Sequence, residues 1–236
     1  LRCNVMVKIE KDRPLPRHTK LDYDECYAKI ILEKFFPERY QYLQIADRPD
    51  LRTKDGNIGI EVTSAIPQEE QEALALACEI PYIDKENQEK RIAYLKKKGY
   101  EYTKYGMSHP SRSYGWIGFN YPDIEKTFCR DFIHAVEEKI KKLNSGNYDF
   151  LPEYDLFVQS ELDIEEWMQQ KLMDKLCQLS TQQYNYKFIY LLALNGLFVF
   201  DVSTQKYSMK ETGKKLWGLG TAARDMVEKG EINEKT

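Results

Sequence analysis

Two carboxylates open the chemical reading: Asp50, which follows a proline in Arg48-Pro49-Asp50-Leu51, and Glu61, inside Ile58-Gly59-Ile60-Glu61-Val62-Thr63. The second segment alternates as a strand does, with Ile58, Ile60 and Val62 on one face and Gly59, Glu61 and Thr63 on the other. Taken alone, Glu61 is an ordinary surface residue at a sheet edge. Asp50 changes the reading, because Asp55-Gly56 is a turn signal that sets it on or just before the same hairpin. Carboxylates on adjacent strands converge, and hard divalent cations such as Mg²⁺ or Mn²⁺ prefer such oxygen ligands. A cation held there polarises a phosphodiester, generates hydroxide from water and neutralises developing charge.

The string Arg48-Pro49-Asp50-Leu51 followed by Gly59-Ile60-Glu61-Val62-Thr63 resembles the PD-(D/E)XK, or restriction-endonuclease-like, nuclease superfamily. The resemblance implies that Asp50 and Glu61 are catalytic and hold Mg²⁺, with help from the Val62 carbonyl. It also implies a core of helix, hairpin, strand, helix and strand, matching the order read between about Asp22 and Gln159. The family often adds an acidic residue on its first helix, for which Glu25 and Glu33 compete. Ala28, Leu32 and Phe36 form a ridge that Glu25 extends toward the N-terminus, while Glu33 falls on the polar side with Lys29, so Glu25 is preferred as a metal ligand. A helix-start glutamate favoured by the macrodipole is the plain alternative.

One position departs from the motif. The family places a lysine two residues after the glutamate, to orient the attacking water, and here Thr63 stands there. Lys139 is the expected substitute. It falls inside the apolar stripe Ile124, Phe128, Phe132, Ala135, Val136 and Leu143 of a long helix, whereas Lys141 points away and Lys142 sits at the margin. A lysine in a core-facing stripe needs a partner for its charge. Its plain alternative is a stem that snorkels to water near the helix end.

The supporting elements come from local signals. A helix is expected from Asp22 to Phe36, stopped by Pro37; strands at Tyr40–Ile45 and Ile58–Thr63; helices at Pro67–Cys78 and Lys85–Lys98. The long helix runs from Asp123 to Leu143, followed by a buried strand at Tyr154–Gln159, a helix at Asp163–Leu179 and a hairpin turning at Asn195-Gly196. This order predicts an α/β fold with a mixed central sheet flanked by helices. The expected division is an arm at 1–21, a core at 22–202 and a helical extension with a tail at 203–236.

From Gly99 to Asn120 periodicity breaks. Lys98, Lys104, His109 and Arg112 interleave there with Tyr100, Tyr102, Tyr105, Tyr114 and Trp116, as in a single-strand or distorted-duplex binder. An ordered loop packing its own aromatics explains the composition equally well. Gln68 and Gln71 are candidates to polarise a water, with solvated helix positions the simpler reading.

A net charge of −3 and a sequence pI near 5.8 place any nucleic-acid contact in a local patch. The five cysteines are scattered, and none of His18, His109 and His134 has a partner at zinc spacing. No apolar run approaches a membrane span and no secretory signal is visible, so a cytoplasmic protein with reduced thiols is expected. The leading expectation is a Mg²⁺- or Mn²⁺-dependent endonuclease acting on DNA, with a homodimer as a possible assembly. The alternatives are a nuclease-fold binding module that has lost catalysis, and a carbohydrate-active enzyme using paired carboxylates.

Overall fold

The computed structural model describes residues 2–7, 15, 19–106, 113–120, 124–160, 162–180, 183–216 and 218–230. The chain begins with β1 (Arg2–Val7), α1 (Tyr23–Phe35), α2 (Pro37–Tyr40), β2 (Gln44–Ile45), β3 (Leu51–Arg52) and β4 (Ile58–Ser64). It continues through α3 (Gln68–Glu79), α4 (Lys85–Lys97), β5 (Glu101–Gly106), β6 (Ser113–Asn120) and α5 (Ile124–Leu143). It closes with β7 (Glu153–Gln159), α6 (Glu166–Leu179), β8 (Phe188–Ala193), β9 (Gly196–Asp201), β10 (Lys206–Lys210) and α7 (Leu219–Lys229).

These elements form two compact units, one of Leu1–Pro16 with Ile66–Phe128 and one of Arg17–Ala65 with Cys129–Thr236. The division differs from the expected single core at 22–202, because 66–128 joins the N-terminal strand in a unit of its own.

The larger unit is built on a seven-stranded sheet in the order β10-β9-β8-β7-β4-β3-β2. The β4–β7 and β7–β8 pairs are parallel and the others antiparallel. The observed fold is thus mixed α/β. Parallel neighbours need crossovers, and helices are the compact way to make them.

Local chemistry explains α1. The Asp22 carboxylate accepts from Asp24 N at 2.8 Å and Glu25 N at 3.3 Å, capping the first turn. Ala28, Ile31, Leu32 and Phe35 are buried with Leu51, Ile60, Val62, Phe157, Tyr190 and Val199 from one face of the sheet. Full burial of one such leucine or isoleucine contributes about 2 kcal/mol. Phe132 of α5 lies 6.2 Å from Phe200 of β9. Because β4 alternates, Ile60 faces the α1 core and Glu61 faces the opposite way.

The smaller unit carries a three-stranded sheet, β1-β6-β5, antiparallel throughout. Ala73 and Ala77 of α3, Ile80 just after it and Leu95 of α4 are buried together, with Tyr100 and Tyr102 packed against them.

Four sequence expectations are corrected here. Tyr40 is not in a strand: Pro37, its φ preset for a first helical turn, starts α2, and after Tyr42 at φ 61° Gln44–Ile45 pairs as a strand. The aperiodic stretch from Gly99 is largely a hairpin, β5 with β6, whose tyrosines carry strand propensity. The expected arm contains β1, which finds its partner in β6 far along the chain. The expected helical extension begins with an edge strand, β10, before α7 packs on α1.

Candidate functional site

In the larger unit, three backbone elements bring one acid each or a cation to the same place. Asp50 directly precedes β3, and its Oδ2 accepts the Val62 amide at 2.7 Å, a tie between strands that fixes the carboxylate. Glu61 is completely buried on β4. Lys139, on α5, places Nζ 2.6 Å from Glu61 Oε2 and 3.7 Å from Asp50 Oδ2, with its side chain only 16% exposed. One helical turn later, Lys142 reaches to 3.9 Å from the same Glu61 oxygen while remaining 54% exposed. The Tyr186 hydroxyl donates to the Lys139 carbonyl at 3.1 Å and holds that turn of α5.

The electrostatics follow from this crowding. Burial raises the Asp50 pKa, Glu61 raises it further, and Lys139 and the Val62 N–H pull it back. Glu25, half-buried at the start of α1, is pushed up to about 7, first by burial and then by Asp50, with Lys139 opposing. Glu25 therefore shares the field of the pair. Glu33 does not belong to it: one of its oxygens accepts from Leu43 N at 2.7 Å and from Lys29.

Two tyrosines that sequence reasoning missed complete the surroundings. Burial and the neighbouring Glu61 carboxylate raise the pKa of both Tyr148 and Tyr186. The Tyr148 hydroxyl faces Glu61, yet neither it nor Glu61 Oε1 completes a hydrogen bond of good geometry, although both are buried. Neither tyrosine sits at a readable offset from the motif, so no local signal announced them.

Among the described residues no group of three or more His, Cys, Asp or Glu side chains is arranged to hold a metal ion. The donor set still fits a hard cation, since it consists of oxygen and includes the unsatisfied Glu61 Oε1. Mg²⁺ commonly takes one or two protein carboxylates and completes its shell with water and phosphate.

The remaining candidates fall elsewhere. Gln71 donates to the Ile66 carbonyl at 2.7 Å and Gln68 to Glu72 at 3.3 Å, both on an exposed face of α3. His18, His109 and Arg112 lie outside the described residues, as do the side chains of Lys104, Tyr105, Tyr114 and Trp116. Thr63 lies on β4 two residues after Glu61, so its side chain takes the Glu61 side of the sheet. No described helix is long and apolar enough to cross a membrane.

Comparison with known proteins returned no match to a family model, a curated protein or a solved structure.

Proposed function

We propose that the chain is a Mg²⁺- or Mn²⁺-dependent nuclease of the PD-(D/E)XK type, hydrolysing phosphodiester bonds in DNA. The observation that carries the reading is the convergence of Lys139 on Asp50 and Glu61. It supports the idea that the cation missing at Thr63 is supplied from α5. The order of elements agrees: α1, the β2–β3 hairpin, β4, α5 and β7 follow the helix, hairpin, strand, helix, strand sequence of that superfamily, with residues 66–128 inserted after β4.

In this reading Asp50, Glu61, the Val62 carbonyl and Glu25 would hold the metal. A bound divalent cation would polarise the scissile phosphate and acidify a water. The protein's own part is positional. The Val62 amide fixes Asp50, and burial keeps the Glu61 carboxylate away from competing water. Lys139, held beside Asp50 and Glu61, would offer an ammonium to orient the attacking water and offset charge on the phosphate.

Calorimetry with Mn²⁺ on wild type, Asp50→Asn and Glu61→Gln, alongside cleavage of single-stranded and duplex DNA, tests the reading. Wild type is expected to bind and cut, and both variants to lose affinity and activity together. Equal Mn²⁺ affinity in all three proteins would sink it. Thr63 favours one second reading, a member of the same fold that binds nucleic acid without cutting. DNA binding without cleavage at any divalent metal concentration is its signature.

A further inference from the structure

The loop between α5 and β7 carries a ring that the fold holds firmly and yet leaves bare. Phe150 is 78% exposed and presents most of its ring to solvent. Its surroundings are well braced. Asp149, the preceding residue, accepts from Arg52 at 2.6 Å, and its carbonyl accepts from the Tyr154 hydroxyl. That hydroxyl also accepts from Leu151 N at 3.0 Å, so the residues on both sides of Phe150 are pinned. Tyr184 meets the Phe150 ring edge-on at 6.4 Å. Tyr184 is itself clamped by Asn144, which donates to its carbonyl at 2.8 Å and accepts from its amide at 3.0 Å.

The same loop reaches the carboxylate site. Tyr148, two residues before Phe150, faces Glu61, and Lys142 Nζ lies 5.9 Å from the centre of the Tyr148 ring. Tyr148 thus ties the loop that bears the bare Phe150 ring to the half-exposed Lys142 and to Glu61, which Lys139 also contacts. Cations that meet phosphates beside a preorganised flat ring are the components of a single-strand binding track. A duplex, with its bases already stacked on one another, has no use for such a ring.

We infer that Phe150 is a stacking platform for an unpaired nucleobase next to the phosphate handled at Asp50 and Glu61. The inference deepens the proposed function by assigning the substrate a single-stranded or frayed stretch at the site. Rigidity of the loop matters energetically, because a ring already held in place loses little entropy when a base lands on it.

The test uses a short single-stranded oligodeoxynucleotide carrying one 2-aminopurine, titrated with the full chain in Ca²⁺ and read by fluorescence quenching and anisotropy. Wild type is expected to quench the probe. Phe150→Ala, a change at an exposed position that leaves the thermal midpoint in place, should abolish quenching and weaken single-strand binding about 10-fold. Phe150→Trp should retain both, and duplex binding should change less than single-strand binding. Unaltered quenching and affinity in Phe150→Ala overturn the inference, as does a Phe150→Ala effect confined to self-association in sedimentation. Its failure is separable from failure of the nuclease reading. A protein that quenches the probe but never cuts in Mg²⁺ loses hydrolysis and keeps the platform. A protein that cuts equally well with and without Phe150, and quenches with neither, loses the platform and keeps hydrolysis.

Discussion

Lys139 Nζ lies 2.6 Å from Glu61 Oε2 and 3.7 Å from Asp50 Oδ2, so one ammonium from a helix offsets two acids from neighbouring strands. Glu61 has no exposed surface, and an uncompensated charge there would be costly. The pair is therefore structural in the metal-free protein and, on the proposed reading, chemical in the loaded one.

Removing the lysine separates these roles. In Lys139→Met the buried carboxylate loses its nearer cation and keeps only the more distant Lys142, and chemical denaturation should show a loss on the order of 3 kcal/mol without metal. Mn²⁺ should recover more of that loss than it adds to wild type. DNA cleavage in Mg²⁺ should fall at least about 100-fold, the scale of losing one charge-stabilising group at a reacting centre. Lys142→Met removes a more exposed and more distant charge, so its stability should change by less than about 1 kcal/mol. Equal behaviour of the two variants would remove Lys139 from the mechanism.

A lysine restored to the strand should rescue the loss. Thr63 takes the Glu61 side of β4, so Thr63→Lys in the Lys139→Met background returns a cation to the position the motif prescribes. Cleavage is expected to recover at least about 10-fold over the single variant. No recovery in a stably folded double variant would show that the motif position has lost its access to the reacting phosphate.

The pH dependence follows from Glu25. Its folded pKa of about 7 lies above the ordinary value of 4.5, so the folded state keeps a proton that the unfolded chain has released. Stability of the metal-free protein should therefore fall as pH rises from about 4.5 to about 7 and level off above. Thermal midpoints across this window should drop in wild type and drop less in Glu25→Gln. A Glu25→Gln profile that overlays wild type would detach Glu25 from the carboxylate cluster.

Gly59 guards the approach of Asp50. A methyl group there would strike the Pro49 ring and come within 2.7 Å of Leu151 Cδ1. Gly59→Ala should cost about 2 kcal/mol and, by shifting Pro49 and its neighbour Asp50, weaken Mn²⁺ binding measured calorimetrically. Unchanged metal affinity in a destabilised Gly59→Ala protein would mean that Asp50 moves independently of Pro49.

What the sequence disclosed was what local rules govern. Pro37 as a stop acts within a few residues and matches the structure; of the two cap candidates Asp22 and Asp24 the structure uses Asp22, and the hairpin turn falls one residue earlier than read, at Leu194-Asn195, with Gly196 paired to Ala193. Period-two alternation put Ile60 and Glu61 on opposite faces of β4, and helical phase put Lys139 in the buried stripe of α5. Pairings between distant segments stayed hidden. Nothing near Arg2–Val7 indicates that its partner is Ser113–Asn120, and nothing near Tyr148 indicates that its hydroxyl faces Glu61. The network in which Tyr40 donates to Asp155 at 2.6 Å likewise joins residues more than a hundred positions apart.

Supplying the cation from a helix changes how the site responds to insertions and deletions. A lysine two residues from Glu61 on the same strand would be held in place covalently, whatever happened elsewhere. Lys139 instead depends on angular phase and on axial position: one residue added to α5 between Phe132 and Lys139 would turn it by ~100° relative to the preceding helix, away from the carboxylates, while seven would restore the phase to within ~20° but carry it ~10 Å along the axis. Length variation between Phe132 and Lys139 should therefore be forbidden in any step, because no small insertion restores both the angle and the height of the ammonium.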